Sequence, residues 1–274
     1  MKGDFKLSKT NFWIIATNST AAYVLAYLFV FYINHLTKTL IAASYNYEVG
    51  ISWARISYYI EAPEWTHDSV SLIFGSGPIL IFVAGLISLI AFWSLIEEPT
   101  RLKIFFMWLT LHSFNLVFGG LLIGNIFKKG VGHVFNWMYL TDTSKMIVAL
   151  IGFIGLLGTA YFMAKPVAIS ANSYFNQLDK KNFPFFITAQ VIVPFILGTI
   201  IYVGFFIPDI QFQEIFSWIS LLMIMLFIMG RINRMDTLYF DDEERFISFS
   251  QIIIITTIIV LISFRIVLRN EILF

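Results

Sequence analysis

The chain has 274 residues, 58% of them hydrophobic and only 13% charged, and its mean hydropathy is +0.80, which excludes an ordinary soluble domain. A net charge of +1 offers no polyanion-binding character, so no nucleic-acid partner is expected. There is no cysteine, so disulfides and thiolate metal ligands are excluded, and any metal would rest on His, Asp or Glu.

The expected fold class is all-α, a polytopic transmembrane helix bundle forming a single integral membrane domain over residues 1–274. Apolar runs near the length of about 20 residues needed to cross hydrocarbon place about seven spans, with six to eight as the range. They fall at 12–34, 70–95, 102–125, 145–164, 184–206, 213–230 and 249–268. A β-barrel would instead show short alternating segments. The opening "MKGDFKLSKTNFWIIATNST" is basic before its apolar stretch, as in a signal peptide. It continues through "AAYVLAYLFVFYI" with no small-residue cleavage site, so it reads as a retained first helix.

Two connections differ from plain loops. Residues 35–69 mix Tyr45, Tyr47, Trp53, Tyr58, Tyr59 and Trp65 with acidic residues, and residues 126–144 are too polar to span yet rich in aromatics. Both read as interfacial or re-entrant segments. The run "DDEERF" at 241–246 reads as a solvated loop of mixed charge.

Lysine and arginine in the loops set the expected orientation. Eleven fall on the N-terminal side (Lys2, Lys6, Lys9, Arg101, Lys103, Lys165, Lys180, Lys181, Arg231, Arg234, Arg245). Seven fall on the other (Lys38, Arg55, Lys128, Lys129, Lys145, Arg265, Arg269). The bias expects a cell-membrane protein with a cytoplasmic N-terminus.

Polar side chains at bilayer depth are costly and normally face the bundle interior or a hydrated cavity. Asn18 in "TNST", His112 and Asn115 in "LHSFN", and Gln190 in the fifth span meet that description, as does His35 at the end of the first. His112 and Asn115, three residues apart, share a helix face. These five are the candidate ligand-cavity residues. Gly120 and Gly124 form a GxxxG whose expected role is helix packing, and Gly152, Gly155 and Gly158 suggest a flat face in the fourth span. No carboxylate falls in the middle of a span, which argues against a proton-coupled pump.

The histidines are His35, His67, His112 and His133, and neutral imidazoles can ligate zinc. No His pair at i, i+4 and no HExxH occurs, so no cofactor is expected; zinc on these four, with Asp142, is the alternative.

An intramembrane metalloprotease holds zinc on two histidines one turn apart, with a glutamate beside the first to activate water. Here the frame reads His35-Leu36-Thr37-Lys38-Thr39, and only the first histidine remains. Around it, "HLTKTLIAASYNYEVG" carries Ala42, Ala43 and Gly50, "FGSGPILIFVAGLISL" carries Gly77 and Pro78, and "FNLVFGGLLIG" carries Asn115, Gly119 and Gly120. Over about residues 30–125 these segments resemble the site-2-protease family of membrane metalloproteases. Gly77 and Pro78 then correspond to the entrance of that family's next membrane helix, and the family's aspartate ligand is missing.

The resemblance implies a catalytically dead scaffold or binding protein that acts on another membrane protein or a lipophilic ligand, with the bilayer itself as a partner. An uncoupled transporter or channel lined by "TNST", His112, Asn115 and Gln190 is the alternative. A metalloenzyme with an atypical histidine site is the second.

Overall fold

Three of the long helices start at a hydroxyl that caps them. Ser8, Thr66 and Thr141 each accept the amide hydrogen three residues on, at 3.1–3.2 Å, satisfying a donor that would be orphaned in an apolar setting. The computed structural model describes residues 7–241 and 245–274. Of the described residues, 73% are helical.

In chain order, α1 (Lys9–Ser44) leads into the hairpin β1 (Val49–Ile51) and β2 (Ile56–Tyr58). Then come α2 (His67–Ser94), α3 (Leu102–Phe114), a π-helical turn at Asn115–Gly119 and α4 (Gly120–Phe127), the last three forming one continuous rod. A short α5 (Gly132–Trp137) precedes α6 (Asp142–Ile169) and β3 (Gln177–Leu178). A second rod comprises α7 (Phe183–Ile187), a π-helical turn at Thr188–Ile192 and α8 (Val193–Phe206). Next are α9 (Phe212–Ile232), β4 (Leu238–Tyr239), α10 (Gln251–Val267) and β5 (Ile272–Leu273).

Six helices are long and apolar enough to cross a membrane, and α10, at 17 residues, is a shorter apolar seventh. The expected span positions therefore hold closely, with two corrections. First, α1 does not stop at residue 34 but continues through "NHLTKT" to Ser44. Of its polar residues Asn34, His35 and Lys38 line a cavity rather than face lipid, and Thr37 bonds back to the Ile33 carbonyl. Second, Gly77 and Pro78 lie inside α2, not at its entrance. Proline's missing N–H leaves one mid-helix carbonyl without its usual partner.

Helix direction alternates along the chain, and small sheets mark the two ends. At one end β1 pairs antiparallel with both β2 and β5, so the C-terminal strand is stitched to the hairpin after α1. At the other, β3 pairs with β4. α1 is the hub, packed against α2, α3, α8 and α10. The outer faces of α2, α6, α9 and α10 expose Ile79, Ile87, Ile90, Ile151, Phe162, Ile219, Ile252 and Ile262, an apolar girdle far larger than soluble proteins carry.

The glycine row on α6 is a contact face over part of its length. A Cβ at Gly152 would strike the backbone at Phe118 and Leu122, and one at Gly155 would strike the Phe118 ring, whereas Gly158 faces open space.

The "DDEERF" run departs from a plain solvated loop. Residues 242–244 lie outside the described residues, but Arg245 is buried, pairs with Asp241 and donates to Asn172 Oδ1 at 2.8 Å. A guanidinium can be buried only where such partners meet it.

Candidate functional site

Tyr27, Phe31, His35 and Lys38 recur at helical spacing and so form one stripe along α1. The stripe faces a cavity of about 150 Å³ that opens at the β1–β2–β5 end of the bundle. His112 from α3, Gly120 and Gly124 from α4, Pro78 from α2, Lys129 from the turn before α5, and Gln211, Gln213, Glu214 and Ser217 at the start of α9 complete its wall. From Lys38 at the mouth to Tyr27 at the floor, a rise of ~1.5 Å per residue makes this vestibule about 16 Å deep.

Its chemistry is mixed in charge. Tyr27 donates its hydroxyl to the Glu214 carboxylate, and Glu214 and Lys38 interact electrostatically across the opening. Lys129 stands at the rim. On α5, His133 is held below the ordinary imidazole range by burial and by the Lys129 and Lys38 charges, so it stays neutral near pH 7.

His35 bonds through Nδ1 to the Phe31 carbonyl at 2.9 Å, which as a donor leaves Nε2 as an acceptor. Two polar atoms in the wall have no partner among the described residues: His112 Nε2, in a side chain 3% exposed, and Asn34 Oδ1, in one 7% exposed. Asn34 Oδ1 is turned onto Gly77 of α2, whereas His112 belongs to the cavity lining, and a buried polar atom left unpaired beside a cavity suits it to a polar guest.

Below His112 the vestibule ends on packed rings. Tyr202 stacks on Tyr27 at 4.1 Å and on Tyr23 at 5.3 Å between centroids, and Trp108 meets Tyr23 edge-on at 4.8 Å. The Tyr202 hydroxyl closes the layer by donating to the Tyr23 carbonyl at 2.9 Å.

The structure thus brings together His35 and His112 but disperses the other expected cavity residues. Asn115 ties its rod to α9, donating to the Ser217 carbonyl and hydroxyl at 2.9 and 3.0 Å and accepting from Ser220 at 2.7 Å. Its wall position is behind the vestibule, because the π-helical turn rotates it toward α9. Asn18 lies beyond the aromatic layer, donating to Tyr174 and to the Ser248 carbonyl and accepting from the Ser250 amide, and so fixes the entry to α10. Gln190 is fully buried in the second π-helical turn; its carbonyl accepts from Ser19, and its side-chain amide has no partner among the described residues.

Among the packing candidates, Gly77 lets Asn34 approach α2, and Gly124 lies against the 129–132 turn rather than a second long helix. Pro78, Gly120 and Gly124 also line the vestibule.

The histidines do not gather. His67 sits at the start of α2 and bonds to the Trp137 carbonyl, and His133 packs on Phe74. Asp142 stands in the first turn of α6 beside Lys145. Among the described residues no three His, Asp or Glu side chains stand where they could hold a metal ion.

Sequence reasoning missed Tyr27, Asn34, Lys38 and Glu214. The stripe on α1 was readable as a period. Glu214 carried no local signal beyond being an acid in the first turn of an apolar helix. Comparison with protein-family models, with curated proteins and with solved structures finds no match to this chain.

Proposed function

We propose that this is a multi-pass membrane protein that binds a small polar or amphiphilic ligand in the vestibule without catalysing its hydrolysis. One observation carries the reading: His112, whose Nε2 is buried and unpartnered among the described residues, lines a cavity that also holds Lys38 and Glu214. A ligand with both a donor and an anionic group satisfies such a wall; an apolar one does not. The girdle of exposed apolar side chains supports membrane embedding. The excess of lysine and arginine at the α1 N-terminal end favours that end as cytoplasmic and puts the vestibule on the opposite side.

The non-catalytic site-2-protease-like reading is compatible with this arrangement. His35 and Lys38 of the degenerate frame on α1, Pro78 on α2 and Gly120 beyond α3 line one cavity, and Gly77 packs on Asn34, so the three resembling segments are neighbours in space. Leu36, where the family has its base, is exposed and lines an apolar groove against α10 instead.

The test is a thermal-shift panel on protein in nanodiscs, with amino acids, carboxylates, amines and polyols as probes. The expected result is that one class raises the melting temperature of wild type and not of His112→Ala or Glu214→Gln. A flat response from every class, with no co-purified molecule by native mass spectrometry, would overturn the reading.

A second reading, a carrier, is favoured by one feature. The unpartnered Gln190 amide lies on the far side of the aromatic layer from the vestibule, so polar sites occur on both sides of a narrow barrier. Flux of the stabilising class into proteoliposomes, abolished by His112→Ala, would select it; binding without flux would reject it.

A further inference from the structure

A second concavity of about 650 Å³ lies between α6 and α9 at the opposite end of the bundle from the vestibule. Its floor is apolar, formed by Leu157, Ala160, Leu226 and Phe227, and its upper edge carries Arg231 and Arg234. No acidic side chain lines it among the described residues. Arg231 stands in the last turn of α9, and Arg234 follows in the turn just past its end, where its amide donates to the Arg231 carbonyl at 3.1 Å, so both line the same edge of the groove. The Arg231 guanidinium carbon lies over the Tyr161 ring, 3.5 Å from its centroid.

That stack has a chemical consequence. It anchors the guanidinium at the groove, and guanidinium N–H groups can meet a phosphate through paired hydrogen bonds. A Cβ added at Gly230 meets nothing within 4 Å, so the groove has room beside the arginines. Below them, Leu226 and Phe227 are more than half exposed and would face acyl chains if α6 and α9 cross a bilayer.

We infer that this groove binds an anionic phospholipid, with its phosphate held between Arg231 and Arg234 and an acyl chain laid along Leu157, Leu226 and Phe227. The charge complementarity argues for the anion and the apolar floor for its chain; a zwitterionic lipid brings a cation toward two arginines in a groove that no acidic side chain lines among the described residues. The inference rests on membrane embedding and is independent of the vestibule's ligand.

The experiment is native mass spectrometry of the full chain released from micelles containing equal phosphatidylglycerol and phosphatidylcholine. Wild type is expected to retain phosphatidylglycerol selectively. Arg231→Gln/Arg234→Gln lowers that preference about tenfold, the loss expected for removing charge-assisted hydrogen bonds. Lys128→Ala/Lys145→Ala, at the other end, leaves it unchanged. Gly230→Trp fills the groove without touching its charge and is expected to displace the lipid as well, which keeps the test decisive if the double variant does not fold.

Equal retention of both lipids by wild type, or an unchanged preference in Gly230→Trp or the double variant, would overturn the site. Displacement of the lipid by excess inorganic phosphate would assign it to a free anion and overturn it too. A chain that stays in solution without detergent would instead defeat the membrane reading itself.

Discussion

Tyr27 on α1 donates its hydroxyl to the carboxylate of Glu214 on α9, joining residues 187 positions apart at the inner wall of the vestibule. A hydrogen bond to a charged group contributes about 1.5–3 kcal/mol, more than a neutral pair, because burial weakens competition from water. Tyr27→Phe is therefore expected to destabilise by about 1–3 kcal/mol. Glu214→Gln removes the same charge-assisted bond, so the double variant should lose less than the sum. Melting temperatures of the four proteins close the cycle, and strict additivity would show that the two side chains do not couple.

Asn115 and His112 should separate structural from ligand roles. Asn115 satisfies both of its polar atoms against Ser217 and Ser220 across two helices. Asn115→Ala is expected to lower stability by about 1–3 kcal/mol through the orphaned partners, with or without ligand. His112→Gln keeps a polar side chain in the wall and is expected to cost less in the absence of ligand, while removing ligand-induced stabilisation. The same stability loss in both variants, with ligand response intact, would contradict the assignment.

Two glycines on one helix predict opposite signs. A Cβ at Gly155 runs into the Phe118 ring, and overpacking of this kind costs about 1–3 kcal/mol. At Gly158 the same atom meets nothing within 4 Å, so Gly158→Ala should gain up to about 1 kcal/mol from helix propensity. Thermal melts of the two alanine variants decide it; a stabilised Gly155→Ala would mean that α6 and the π-helical turn are not in close contact.

Glu271, outside the spanning helices, makes β5 pH-sensitive. The Ser57 and Tyr59 hydroxyls hold its carboxyl below the ordinary carboxylate range, Tyr59 donating at 2.6 Å. A depressed carboxyl contributes stability above its unfolded value and loses it as pH falls through the folded value. Amide exchange at Ile272 and Leu273, which pair with Ile51 and Gly50, should therefore quicken as pH drops below the ordinary carboxylate range. Glu271→Gln should flatten that dependence. A pH response that survives the substitution would place its origin elsewhere.

Metal content is the direct check on the non-catalytic reading. Prepared without chelator or a metal-affinity tag, the protein is expected to hold far less than one zinc per chain by elemental mass spectrometry. Near-stoichiometric zinc lost in His35→Ala would revive the atypical metalloenzyme.

The helices and their approximate limits were legible because an apolar run of given length has few alternatives once backbone polar groups must be satisfied internally. The extension of α1 through His35 and Lys38 was not, since polarity there reads as a helix end unless a polar cavity faces it. Asn18 shows the reverse case: its depth in a span marked it as special, but its partners are the Ser248 carbonyl and Ser250 amide, more than two hundred residues away.

By itself, then, the sequence determined that this chain is built of long apolar helices, which short-range hydropathy and caps encode locally. Only the tertiary structure decided which polar side chains share a cavity. Glu214 joins His35 and His112 because α9 packs beside α1 and the α3–α4 rod. Gln190 and Asn18 do not, because the rings of Tyr23, Trp108 and Tyr202 fill the space between. Convergence of that kind depends on helix neighbours and rotation, which no local pattern records.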